Sequence, residues 1–209
     1  MNEELINEII KIEEDMFSSV KNIGGRATCQ DDLITFKIMR SSHFMNWSKV
    51  ALESYRQDLL EAKESKRNLL AEKYARMMES TDPIEYNRIK NLLTPLEPEV
   101  SSLIEKIVEI ELEWQKELFE MFPNVVERGR PLYSSEDTPF VTSLETYLRG
   151  ELATYSRRTL ELYYRNCLEQ KVKNINGAKI ALDQMVKQYG YSSLEEANRY
   201  FEQSKNSRA

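Results

Sequence analysis

Two short segments each bring together a guanidinium, small polar side chains and a pair of acids. Gly24-Gly25-Arg26 is followed by Cys29-Gln30-Asp31-Asp32, and Gly129-Arg130 by Ser134-Ser135-Glu136-Asp137. An arginine fork matches a carboxylate or phosphate through two parallel hydrogen bonds, and a neighbouring acid can take a proton or hold a cation. The glycines do not form a phosphate-binding P-loop, which also needs a closing Lys-Ser/Thr. A plainer account competes: acids favour helix starts, and an arginine can tie a loop to them. A third group sits on one helix face, where steps of four align Tyr147, Glu151 and Tyr155, an acid between two phenols. These residues define a candidate site. Asp32, Asp137, Glu151 and Tyr147 are its proton-handling and orienting groups. Arg26, Arg130, Arg40, Arg149, Glu136, Asp31 and Tyr155 are its ligand-binding groups.

Glu13 and Glu111 raise a related question, because each interrupts an apolar stripe: Ile6, Ile9, Val20 around the first, Ile104, Ile107, Leu118 around the second. A carboxylate on a buried face needs a cation, a proton or a metal. Arg40 and Arg149, on the following helices, are the natural partners, either as packing pins or as walls of a shared cavity. An all-carboxylate magnesium or manganese site from Glu13, Glu111, Glu151 and Asp residues is the metal alternative, but no ligand spacing supports it, so no metal and no cofactor is assigned. His43, the one histidine, fits a semi-buried packing position. Cys29 is a poor nucleophile, since Asp31 and Asp32 disfavour its thiolate.

The elements that must carry these groups are helical. Apolar residues at three- and four-residue steps predict a first helix over 3–21, stopped by Gly24-Gly25. A second runs from Asp31 or Asp32 to Trp47, and a long third from Ser48 to Ser80. Asp82-Pro83-Ile84-Glu85 starts another as cap, first-turn proline and capping-box acid. Pro98 opens a helix to Phe122 that Pro123 ends, and 123–141 is the longest irregular stretch. Thr142-Ser143-Leu144-Glu145 is a second capping box, opening a helix to about Lys173. Two more follow, from about Ala178 to Gly190 and from Ser192 or Ser193 to about Gln203. Trp47, Trp114 and Tyr163-Tyr164 belong to the core. No convincing strand is present.

The same plan occurs twice. LINEIIKIE at 5–13 returns as LIEKIVEIE at 103–111, a shift of 98. Trp47-Ser48, Leu52-Glu53 and Tyr55 match Tyr155-Ser156, Leu160-Glu161 and Tyr163 at a shift of 108, and Glu85, Asn87, Arg88 match Glu196, Asn198, Arg199 at 111. The expected fold is all-α: two tandem pseudo-symmetric halves, 1–97 and 98–204, of about four helices each in one compact bundle-like domain. Residues 205–209 are expected to form a disordered tail. Two such halves pack about an approximate dyad, and clefts between units are common ligand sites.

Composition narrows the function. The 209 residues carry a net charge of −6, −3 in residues 1–97 and −3 in residues 98–209, so no basic surface recruits nucleic acid. No apolar run approaches the roughly 20 residues that span a bilayer. Two cysteines in unlike contexts argue against a disulfide framework and for a reducing cytoplasm. The runs NIGGRATCQDD at 22–32, NLLAEKYARMME at 68–79, GRPLYSSEDT at 129–138 and SLETYLRGELATYS at 143–156 resemble a bacterial family catalogued as domain of unknown function 4125. The resemblance spans about residues 3 to 200. It implies a bacterial, cytoplasmic protein, with other domains beside this one in longer relatives, and it brings no established activity. The expected function is binding of a small charged molecule (zwitterion, nucleotide or phosphate-like), with or without catalysis, in a polar pocket between the halves. The alternative is a non-enzymatic helical module for a protein partner or an adjacent domain.

Overall fold

The computed structural model describes residues 2–22 and 25–207. Among these, eleven α-helices and three short 3-10 turns form the molecule, with one isolated bridge, Thr138 to Val141, as the only β pairing. None of these helices is long and apolar enough to cross a membrane.

Helix α1 spans Glu3–Ser18. It ends short of the predicted residue 21 because side chains, not glycines, take its last carbonyls. Gln30 Nε2 donates to Phe17 O at 2.9 Å and Val20 O at 3.0 Å, and Arg26 Nη1 donates to Ser18 O at 3.0 Å. Of the predicted Gly24-Gly25 stop, Gly24 lies outside the described residues, and Gly25 adopts φ 91°. Helix α2 (Leu33–Phe44) is capped by Asp32, which accepts from Thr35 N at 3.0 Å.

The single long helix predicted over 48–80 is two, α3 (Lys49–Glu64) and α4 (Leu69–Thr81). Lys66 enters the left-handed region at φ 58°, and Asn68 then caps α4 through Ala71 N at 2.9 Å. Its amide also reaches Met16 O at 2.8 Å, which sets the corner against α1. Asp82 caps the short α5 (Pro83–Ile89) as its sequence predicts, while the Glu85 carboxylate turns to Arg88 instead of closing a box.

Helix α6 (Pro98–Met121) ends where predicted, but Pro123 opens the one-turn α7 (Pro123–Val126) instead of starting a structureless stretch. The helix predicted from Ser143 to Lys173 also divides, into α8 (Leu144–Leu152) and α9 (Arg157–Val172). Ser143 and Ser156 cap them. Glu145 does not complete a box: its carboxylate accepts from Ser134 N at 2.6 Å. Asn176 caps α10 (Gly177–Gln188), and Asn174 just before it is left-handed at φ 53°, as Lys66 is before α4. Ser193 caps α11 (Leu194–Asn206), which carries residues 205 and 206 of the predicted tail as helix. Lys205 is held there by Glu127; Arg208 and Ala209 lie outside the described residues.

Helix contacts follow one plan in each half. Helix α1 packs on α2, α3 and α4, and α6 packs on α8, α9 and α10. Between the halves α3 meets α9, α4 meets α8, and α2 meets α10. Ile9 and Ile107 are both fully buried in the shared core, beside Leu52, Leu59, Leu118 and Leu160. The α4–α8 contact is close because Gly150 has no side chain. A Cβ there would fall 2.8 Å from Met77 Cγ and 3.0 Å from Lys73 O. That approach brings Lys73 on α4 beside Glu151 on α8.

Candidate binding cleft

Four charged side chains meet at the centre of the molecule, at 0% exposure for Glu13, 7% for Arg40, and 5% each for Lys73 and Glu151. Such burial is tolerable only when each charge is paired and hydrogen-bonded. Here they are. Arg40 on α2 forks onto Glu13 on α1, with Nε to Oε2 at 2.7 Å and Nη2 to Oε1 at 2.5 Å. Its Nη1 crosses to the other half and donates to Glu151 Oε1 at 2.7 Å. Lys73 Nζ donates to Glu151 Oε2 at 2.7 Å. Tyr55 and Tyr155 each add a phenol donor, to Glu13 and Glu151 respectively, both at 2.7 Å. Two cations and two anions leave the cluster neutral.

Burial pushes against ionisation of Arg40, Lys73 and Glu151, and their partners win. The Glu151 carboxyl is drawn well below the usual range by Arg40 and Lys73 despite its burial. Burial likewise opposes the charge on Arg40 and Lys73, yet the carboxylates hold both above their ordinary values. His43 goes the other way. Burial, helped by Arg40 and Lys73, lowers it to about 4 against the pull of Glu151, so its imidazole is neutral near pH 7. It makes no hydrogen bond to another described residue and rests its ring edge-on against Phe44 and Trp47.

The cluster opens onto a cleft of about 1020 Å³ lined from both halves. Lys73 Nζ lies 3.6 Å from the Tyr147 ring centroid and Arg130 Cζ 4.8 Å from the same centroid. Two cations over one ring are held by its π-face. Only one of the three Lys73 ammonium donors meets an acceptor among the described residues, and Arg130 spends one donor on Thr142 O at 3.0 Å. This side of the cleft can therefore take an anion. Glu111, 6% exposed, also lines the cleft, with Tyr163 donating to its Oε1 at 2.5 Å. Burial raises its carboxyl to about 7, partly offset by that phenol.

The residues predicted for the site divide. Asp32, Arg40, Arg130, Tyr147 and Glu151 line the cleft. Tyr155 reaches Glu151 from behind it. Arg26, Asp31, Glu136, Asp137 and Arg149 do not line it, and each is engaged elsewhere. Arg26 holds Asp31 at 2.7 Å, and Glu136 accepts from Tyr133 N at 3.1 Å. Asp137 accepts from Ser80 Oγ, Ser143 N and Thr146 Oγ1, all at 2.5 Å, so it ties α4 to the start of α8. The pairing of Arg149 with Glu111 is not formed. Arg149 points outward to Glu105 at 2.8 Å and Glu145 at 2.7 Å. Each Gly-Arg segment thus sends one charged member to the cleft, Asp32 and Arg130, while Asp31, Glu136 and Asp137 serve as local caps and ties.

Lys73, Tyr55 and Tyr163 are part of the arrangement without having been singled out from sequence. Lys73 carried a signal: it breaks the buried stripe Leu69, Leu70, Met77 as Glu13 breaks its own. The tyrosines matched at a shift of 108, but nothing local paired them with acids more than 40 residues away. Cys29 lines the cleft as an exposed free thiol, and Cys167 is buried in the core. Among the described residues no group of His, Cys, Asp and Glu is arranged to hold a metal ion.

The chain matches the model of one protein family over residues 3–199, described as Protein of unknown function (DUF4125). No curated protein and no solved structure matches it.

Proposed function

We propose that this chain, which belongs to the DUF4125 family, binds a small charged molecule in the cleft between its two halves. One observation carries the proposal: Arg40 and Lys73 of the first half meet Glu151 of the second at the floor of an open cleft of about 1020 Å³. A cluster serving only as a packing pin gains nothing from an adjoining space of that size. Pockets with a few convergent polar groups and perturbed titration are the usual ligand sites. Lys73 and Arg130, with donors to spare, suit a carboxylate or phosphate, and Tyr147, Tyr74 and Phe36 offer flat surface for an unsaturated ligand body. Asp32 at the helix start, the neutral His43, Thr35, Asn46, Gln115 and Thr154 add further polar groups to the wall. We attribute the shared packing plan of the halves to duplication of one helical unit, and the free Cys29 thiol suits a bacterial cytoplasm.

A thermal-shift panel of nucleoside phosphates, amino acids, inorganic phosphate and pyrophosphate tests this. A member present at 100 times its Kd stabilises the fold by about 2.7 kcal/mol, a rise of roughly 5–10 °C in Tm for a protein of this size. Arg130→Ala removes an exposed side chain and should at least halve that rise for anionic members. A panel that leaves Tm unchanged throughout overturns the proposal. The interaction-module alternative would then gain, with Phe140, 97% exposed at the 138–141 turn, as its anchor.

A further inference from the structure

The two halves treat equivalent acids differently. Glu13 and Glu111 stand at a shift of 98, both are buried, and each receives a tyrosine hydroxyl on Oε1, from Tyr55 and from Tyr163. Glu13 then receives the Arg40 guanidinium on both oxygens. At the register of Arg40, a shift of 108, the second half has Leu148, which also lines the cleft. Glu111 Oε2 accepts no hydrogen bond from any described residue. We infer that Glu111 is the receptor for a ligand cation, a primary ammonium or guanidinium that docks on it from the cleft as Arg40 docks on Glu13. The ligand class is then an amine or guanidine with a flat or apolar body. Joined to an anion at Lys73 and Arg130, it is a zwitterion. This rests on the cleft being a ligand site at all.

Among the described residues no cation already serves Glu111. On α8, Arg149 is bound to Glu105 and Glu145, and Glu151 is bound to Arg40 and Lys73. On α10, Lys179 lies over the Phe122 ring, and Lys187 pairs with Asp183. On α9, Lys171 pairs with Glu113, Tyr163 is the phenol donor, and Cys167 is a buried thiol whose ionisation burial opposes. After α7, Arg128 lies over Phe201. His43 on α2, its ring centroid 6.4 Å from that of Tyr163, is neutral at pH 7. A ligand ammonium would therefore be the first full positive charge to reach this carboxyl, and it would drive off the proton the carboxyl holds below pH 7.

The probes are agmatine and phenethylammonium, titrated calorimetrically into the whole chain and into E111Q. Binding should tighten about tenfold per pH unit between pH 5 and 6.5 and level off above about 7, since both probes stay charged throughout. At pH 6, two buffers of different ionisation enthalpy should report release of nearly one proton per site. E111Q should lose at least tenfold in affinity and release no proton, and E111D should restore part of both. E111Q is isosteric and keeps the Tyr163 acceptor, so its folding is readily checked by circular dichroism. Three results overturn the inference: amine binding that survives in E111Q, amine binding without proton release, or binding of anions but of neither amine. Each of these removes the role of Glu111 without removing the cleft as a ligand site; absence of every binder removes both proposals.

Discussion

Arg40→Met is expected to destabilise the fold by about 3–5 kcal/mol, the cost typical of removing one member of a buried ion pair. The physical reason is the acid left behind. Among the described residues Arg40 is the only cation on Glu13, whose other partner is the Tyr55 hydroxyl. Glu151 keeps Lys73 and Tyr155 and suffers less. The double variant E13Q/R40M should therefore recover a substantial part of the loss, because an amide at position 13 needs no cation. Urea unfolding at pH 7 of the wild type, R40M, E13Q and E13Q/R40M closes the cycle. A cost below about 1 kcal/mol for R40M, the range of exposed pairs, would mean that water reaches the cluster and screens it. Arg40 joins α1 and α2 to α8, so the same variant should also loosen the cleft between the halves.

The second large effect is in the pH dependence of stability, and its sign follows from two groups. Glu111 titrates at about 7 in the fold and near 4.5 in the unfolded chain. Between those values the native state holds a proton that unfolding releases, so stability falls as pH rises and levels off above about 7. His43 is displaced oppositely, to about 4 in the fold from 6.5 unfolded. Between those values the unfolded chain holds the extra proton, so stability rises with pH. The two slopes oppose each other from about pH 4.5 to 6.5 and largely cancel, leaving near the acid end the rise that Glu151 contributes because its carboxyl is held low. E111Q removes one of them. Its stability should climb with pH through that window and exceed the wild type above pH 7 by about 3 kcal/mol, with little difference at pH 4.5. Denaturation curves at pH 5, 6, 7 and 8 measure the difference. Parallel pH profiles for the two proteins would show that Glu111 ionises normally.

Helix starts were legible in the sequence because capping is a contact of three residues. Asp82 caps as its neighbours imply, Ser193 is one of the two serines expected, and the cap expected from the Thr142–Glu145 box falls one residue later, on Ser143. The two long helices were misjudged for the complementary reason: Lys66 and Ser156 break them at residues that carry no glycine or proline. The Arg40–Glu13 pair was foreseeable from an acid inside an apolar stripe. The matching pair of Arg149 with Glu111 was not formed, and the register explains it. His43 and Glu151, like Ser48 and Ser156, are separated by 108, whereas Arg40 and Arg149 are separated by 109. One residue turns a side chain about 100° around a helix, which carries Arg149 from the core to the surface. Residue type alone suggested equivalence where geometry denies it. The acids of the Gly-Arg loops illustrate the converse: Asp31, Glu136 and Asp137 had local partners within ten residues, and those partners took them.

The central claim, that the cleft between the halves receives a small charged molecule, is tested most directly by methyl NMR on methionine-labelled protein. Met39 and Met185 line the cleft, whereas Met45 and Met121 are exposed away from it. Titrating the phosphate, amino-acid and amine probes should move the Met39 and Met185 methyl signals in a saturable way and leave Met45 and Met121 in place. Signals that stay fixed at Met39 and Met185, or that move only at Met45 or Met121, would contradict it.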